Sequence, residues 1–341
     1  MSDQERGRAL GPGERRAALG SSAAPAIAGL AAGLLYASVA FAPLCLVPIQ
    51  VAYGRRGRRA GLAATGAAVA AVAAALAARL YAVGALGLAE LGGGLLPPLA
   101  MLGALALVNA RFWAGLPATY RLLAVGGIAS LAALPSLLSL SKDPAFSAYL
   151  SSRLESLLSP LRAQAGGQGY EASVLAAALD PATIAAAALR TLSSIYAAAL
   201  ALTLGFCWWV GNRLSGPGSP GREAAPPLSL YRAPYALLWV FLAAWTLVLA
   251  AMTLGAPEAL QAAAWNLALS ASLPYAAQGL GIAASLAEKL KMPRFMRVAL
   301  GATAAMALVS PTSSLVVAIG LPLLGVTEVW IPYRNPKGVG A

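Results

Sequence analysis

The sequence predicts an all-α polytopic membrane protein: a transmembrane helix bundle with about eight to ten spans and one external amphipathic helix. Three observations predict it. Of 341 residues, 59% are hydrophobic and only 11% charged, whereas a typical soluble domain carries about 25% charge. The apolar residues fall in runs long enough for a ~30 Å hydrocarbon core. The 24 Lys and Arg cluster at the ends of those runs, where positive-inside anchoring puts them. Lipid tolerates apolar residues on every face of a helix, and a helix satisfies its own backbone.

Residues 1–21 carry Arg6, Arg8, Arg15 and Arg16 among Gly and Ser and read as a disordered cytoplasmic tail. Residues 22–338 read as one membrane domain. The first apolar region, 23–53, is too long for the 7–15-residue core of a signal peptide and ends at Arg55-Arg56-Gly57-Arg58-Arg59. With basic flanks on both sides it should be a short hairpin, its second pass interrupted by Pro43 and Pro48. Spans follow at 61–84, 94–110 and 118–140. The stretch Glu90-Leu91-Gly92-Gly93-Gly94 suits an external turn, and Arg111 and Arg121 flank a cytoplasmic one.

Residues 141–182 break the pattern. Asp143-Pro144 has the form of an N-cap followed by Pro at the first helical position. Phe146, Tyr149, Leu150, Leu154, Leu157, Leu158 and Leu161 then recur at helical spacing, with Ser151, Arg153, Glu155 and Ser159 between them. This predicts an amphipathic helix over 144–162 lying on the outer surface or capping the bundle. Asp180-Pro181 repeats the capping signal and opens a span at 182–210. A flexible cytoplasmic loop is expected at 211–232, around Ser215-Gly216-Pro217-Gly218-Ser219-Pro220, then spans at 233–254 and 260–286. The last apolar stretch, 298–331, is split by Ser310-Pro311-Thr312-Ser313-Ser314 and should be a second hairpin.

Nineteen of the 24 basic residues then fall in cytoplasmic segments, which places both termini in the cytoplasm and the protein in the cell membrane. Arg79, Lys142, Arg153, Arg162 and Arg190 are left outside or near the outer interface. If the two terminal hairpins are single spans, the count falls to about eight.

The formal charge of +12 does not point to nucleic acid, because no soluble segment interleaves basic and aromatic residues. There is no His, which removes imidazole bases, Ser–His and Cys–His pairs and the commonest metal ligand. Cys45 and Cys207 lie in apolar segments and read as small buried hydrophobes. No catalytic, cofactor or metal signature appears, so an enzyme is not expected. Glu90, Arg79 and Arg190 sit near span ends, where side chains snorkel to the interface, and Glu328 is placed to pair with Arg334. Gly29 and Gly33 have the spacing of a close helix contact.

The polar groups inside spans are the natural site candidates. The 260–286 span carries Asn266, Tyr275 and Gln278, with Pro274 freeing a carbonyl beside them. They read either as a polar binding site or as interhelical hydrogen-bond glue.

The C-terminal third resembles the YybS-like family of uncharacterised bacterial membrane proteins. The residues that carry the likeness are Tyr231-Arg232-Ala233-Pro234, Trp265-Asn266-Leu267, Tyr275-Ala276-Ala277-Gln278-Gly279-Leu280 and Leu324-Gly325-Val326-Thr327-Glu328-Val329-Trp330. The likeness covers residues 22–338, and the family brings no settled activity. Pro43-Leu44 through Pro48, with Tyr53-Gly54-Arg55-Arg56-Gly57, is distantly similar to the early hairpin of substrate-binding subunits of energy-coupling-factor transporters.

The first functional expectation is a small-molecule-binding, transporter-like subunit, which requires a mid-membrane cavity including Asn266, Tyr275 or Gln278. The alternative is a membrane scaffold or assembly factor for envelope or division machinery, with a protein partner docking on 144–162 or 211–232. Both are embedded in the lipid bilayer, and neither needs a cofactor.

Overall fold

A computed structural model of the chain describes residues 12–38, 40–82, 87–113, 115–165, 180–221, 223, 225–293, 295–296 and 311–334. They form ten α-helices and three short 3-10 turns, with no strand among the described residues. The chain divides into two compact units, Met1–Val125 with Thr203–Ala225, and Gly126–Leu202 with Pro226–Ala341.

The first unit opens with α1, Pro12–Ala37, a 3-10 turn at Ala42–Leu44, α2, Leu46–Arg56, and α3, Arg58–Ala82. Helix α1 thus begins ten residues earlier than a disordered tail to residue 21 would allow. Pro12 suits the first helical position, and Glu14, Arg15, Arg16, Ala17, Ala18 and Leu19 are good helix formers. Residues 1–11 lie outside the described set. Gly29 and Gly33 make the close contact their spacing suggested: a Cβ on Gly29 would strike the Ala64 carbonyl, and one on Gly33 would strike Ala71. The contacts advance together along both chains, so α1 and α3 run parallel. Arg79 extends the register by donating to the Ala37 carbonyl at the end of α1. Gly57, at φ +78°, reverses the chain between α2 and α3, so the start of α3 and the end of α2 lie together. The hairpin is therefore present but lopsided. Helix α2 has 11 residues, about 16 Å of rise, roughly half of what a crossing needs. Pro43 lies in the 3-10 turn before it and Pro48 in its first turn, where a missing N–H costs least.

Helix α4 runs Leu88–Val108, followed by a 3-10 turn at Arg111–Trp113 and by α5, Ala118–Lys142. The glycine-rich stretch after Glu90 is therefore helical, not a turn. Its Gly94 packs against Leu76 of α3, where a side chain would collide.

Next come α6, Pro144–Ala165, and α7, Pro181–Leu214. The amphipathic helix starts where its cap predicts. Phe146, Leu150, Leu154 and Leu158 are half-buried, and Arg153, Glu155 and Ser159 exposed. Tyr149 and Leu157 of the expected apolar face are exposed, however, and Ser151 is half-buried, so the buried stripe is narrower than the spacing suggested. Residues 166–179 lie outside the described set. At the start of α7 the cap is made as expected: Asp180 Oδ2 accepts from the Thr183 N–H at 2.8 Å and the Thr183 hydroxyl at 2.7 Å.

The second unit is completed by a 3-10 turn at Leu228–Leu230, α8, Ala236–Thr253, α9, Glu258–Lys289, and α10, Pro311–Thr327. Helices α9 and α10 touch backbone to backbone. A Cβ on Gly279 would strike the Leu321 carbonyl, and one on Gly325 the Tyr275 carbonyl. The contacts run oppositely, so the helices are antiparallel and Pro311 is directed toward the Lys289 end of α9. The expected far turn at 310–314 is thus where α10 begins, near the basic end; periodicity locates a helix but carries no direction. Residues 297–310, the expected first leg, are not described.

Among the described residues, α3, α7, α8 and α9 are long and apolar enough to cross a bilayer. Their outward faces carry Leu202, Phe206, Trp239, Leu249 and Leu267, all exposed, as lipid-facing helices require.

Candidate functional site

Two networks of buried polar groups, one in each unit, are the chemical features of the described residues. Both are built on an Arg–Glu pair.

In the second unit, α9 contributes Gln278, which is 4% exposed. Its Oε1 accepts from the Ala233 N–H at 2.6 Å, and its Nε2 donates to the Gly325 carbonyl and to Glu328 Oε2, both at 3.0 Å. Arg334 Nε donates to Glu328 Oε1 at 2.7 Å, and a second donor pairs with Oε2. Arg334 Nη1 reaches the Ser229 carbonyl at 2.9 Å. The side chains of Glu328 and Arg334 are 4% and 5% exposed. Lys289 donates to the Tyr333 carbonyl at 2.7 Å. A buried ion pair needs further hydrogen bonds to offset the loss of water, and Gln278 and Ser229 supply them. The segments around Ala233, Gln278 and Glu328, far apart in sequence, meet at this point.

Asn266 does different work, half-buried on the same helix. Its Oδ1 accepts from the Ala197 N–H at 2.8 Å, and its Nδ2 donates to the Ser193 carbonyl at 2.6 Å and the Ala262 carbonyl at 2.8 Å. Ser193 and Ala197 are one i, i+4 step of α7, so the amide grips both ends of a single rung of that helix's ladder. At the rim of the same pair of helices, Arg190 donates to Glu258 at 2.8 Å, with both side chains exposed.

Tyr275 is 1% exposed and turns to α8. Its ring meets Phe241 edge-on at 5.3 Å, Phe241 meets Trp245 at 6.4 Å, and Trp245 meets Trp265 at 5.8 Å. The Trp245 indole donates to Ser272 at 3.2 Å. Asn266, Tyr275 and Gln278 therefore face α7, α8 and α10 respectively, and their neighbours fill the space between helices.

In the first unit, Arg121 is 4% exposed. Its Nη1 donates to the Val108 carbonyl at 3.1 Å and to Glu223 Oε1 at 2.8 Å, and its Nη2 pairs with Glu223 Oε2. The Glu223 N–H donates to Asn212 Oδ1 at 3.3 Å, and Asn212 Nδ2 to the Trp208 carbonyl at 2.9 Å. Nearby in the unit, Gln50 and Asn109 form a reciprocal amide pair at 2.9 and 3.4 Å. Arg121 reads from the sequence as a charge flanking a cytoplasmic loop; its signal was its place inside the first turn of an apolar helix. Glu223 carried none beyond being acidic in a Gly- and Pro-rich loop.

The loop expected over 211–232 begins only after α7 ends at Leu214, and its described residues are hydrogen-bonded within each unit. Residues 214–223 are tied to the first unit through Arg55 Nη2 on the Leu214 carbonyl at 2.9 Å, the Gly221 N–H on the Gly54 carbonyl at 3.1 Å, and Glu223. Residues 229–233 are tied to the second through Arg334 and Gln278.

Cys45 and Cys207 are both buried free thiols, with Cys207 donating to the Pro43 carbonyl at 3.1 Å. Among the described residues of the first unit, an apolar crevice is lined by Ala32, Tyr36, Cys45, Ala68, Val72 and Leu102. No cluster of His, Cys, Asp or Glu suited to a metal occurs among the described residues.

Set against models of known protein families, curated proteins and solved structures, the chain matches none.

Proposed function

We propose that the protein is a non-catalytic membrane scaffold whose loop segment 214–221, held on the first unit, is a docking surface for a protein partner. The observation that supports this reading most is how that loop is held. Gly- and Ser-rich linkers are flexible by composition. Yet this segment is tied to the first unit by Arg55 on the Leu214 carbonyl, by the Gly221 N–H on the Gly54 carbonyl and, just beyond it, by the Arg121–Glu223 pair. A preformed surface lowers the ordering cost of recognition. The intramembrane amides support the same reading, because Asn266 and Gln278 direct both oxygen and nitrogen to neighbouring backbone. That is the behaviour of interhelical fasteners, worth ~0.6 kcal/mol per bond on average and up to about 2.

A transporter-like, small-molecule-binding subunit of YybS-like kind is the second reading. Helix α2 favours it: a half-length, proline-flanked helix resembles the interrupted helices that line transport sites. In both readings the bundle is a multi-pass protein of the cell membrane with its basic loops in the cytoplasm.

The test is site-specific photo-crosslinking in native membranes from positions 217 and 219. The scaffold reading expects one adduct of discrete mass, lost in Glu223→Arg. Crosslinks to lipid alone, together with a small molecule that raises the melting temperature of the wild type but not of Gln278→Leu, would replace it with the transporter reading.

A further inference from the structure

We infer that the α2–α3 corner of the first unit is a binding site for acidic phospholipid headgroups. Arg55 and Arg56 close α2, and Arg58 and Arg59 open α3 one residue after the reversal at Gly57. All four are exposed. Arg55 bonds the Leu214 carbonyl, which brings the end of α7 to the same corner. There Arg213 lies over the Trp209 ring at 5.0 Å. Five guanidinium groups thus share one corner.

Among the described residues of the unit, Arg55, Arg58, Arg59 and Arg213 meet no carboxylate. Glu223 is the unit's only described acidic side chain, and its carboxylate is taken by Arg121. For α3 the placement is unfavourable in itself. Arg58 and Arg59 stand in its first turn with no acidic residue there, where the helix dipole favours negative charge. Like charges at adjacent positions, at the wrong end of a helix, are stabilised by an external anion.

The surroundings select a lipid as its source. Arg59, Leu62, Ala63, Gly66, Ala70 and Ala74 are all exposed and lie at i, i+3, i+4 spacing on one face. The guanidinium groups therefore head a smooth apolar strip on a helix long enough to cross the bilayer. A phosphate held at Arg58 and Arg59 would send its acyl chains down that strip. Clusters of four or more basic residues beside a membrane helix recognise acidic lipid in this way.

The test uses the full chain in nanodiscs of phosphatidylcholine with increasing phosphatidylglycerol, reading retained lipid by native mass spectrometry. Wild type should enrich phosphatidylglycerol, and each arginine removed should lower the preference about five-fold. Arg58→Gln/Arg59→Gln should lose most of it, Arg58→Lys/Arg59→Lys should keep it, and Arg153→Gln on α6 should not change it. Salt should weaken the preference in the wild type, which tests the proposal even if the Gln variant fails to fold. Equal retention of both lipids by wild type, or an unchanged preference in the Gln variant, would overturn the site. Competition by inorganic phosphate at matched concentration would overturn the assignment to lipid. Neither result bears on the crosslinking at 217 and 219.

Discussion

The two units contain the same parts assembled to different tightness. Each has a half-length or short helix, α2 in one and α10 in the other. Each buries an arginine, Arg121 or Arg334, against a glutamate that fastens a loop. In the second unit the glutamate is 4% exposed and also accepts from Gln278; in the first it is 39% exposed. Arg121 Nε finds no acceptor among the described residues. Identical pair chemistry thus yields a sealed fastener in one unit and a half-open one in the other. The difference lies in what surrounds the pair. Gln278 and the Ser229 carbonyl complete the network of the second unit, whereas in the first Asn212 reaches only the backbone of Glu223.

This contrast can be broken or sharpened by substitution, with stability read as reversible unfolding in mixed micelles. The largest effect is expected for Arg334→Ala, which strands a sealed carboxylate and should cost ~3–5 kcal/mol. Gly325→Ala places a methyl against the Tyr275 carbonyl and should cost ~1–3 kcal/mol. The control Gly66→Ala, facing open space, should be neutral or slightly stabilising, since alanine is the better helix former by up to ~1 kcal/mol. Glu223→Gln should cost less than Arg334→Ala, about 1–2 kcal/mol, because water reaches that site. Its cost should also shrink in high salt, while that of Arg334→Ala should not. The smallest effect is expected for Arg190→Ala, whose exposed partner Glu258 should make it worth at most ~0.5 kcal/mol. Equal losses for Arg334→Ala and Glu223→Gln would erase the distinction between the units.

Much of the fold was legible because its signals are local. Asp180 caps α7 through a residue three positions away, Pro144 opens α6, and Gly29 and Gly33 mark a contact by their own spacing. The Glu328–Arg334 pair, six residues apart, was also readable. What escaped depends on distant partners. Arg121 and Glu223 are 102 residues apart, and the composition of the loop between 211 and 232 argues for mobility until that partner is known. Asn266, Tyr275 and Gln278 were identified as polar or aromatic groups in one span. Their division among α7, α8 and α10 depends on helix packing that periodicity does not encode. The direction of α10 was hidden for the same reason, since it follows from backbone contacts with α9.

The claim on which the account rests is that Gln278, Glu328 and Arg334 act as one fastener and not as a ligand site. A double-mutant cycle on Glu328→Gln and Arg334→Met measures this most directly. Strong coupling is predicted: either single change should cost ~3 kcal/mol or more, and the double variant should lose no more than the worse single one. Losses that simply add, with no interaction energy beyond about 0.5 kcal/mol, would contradict it.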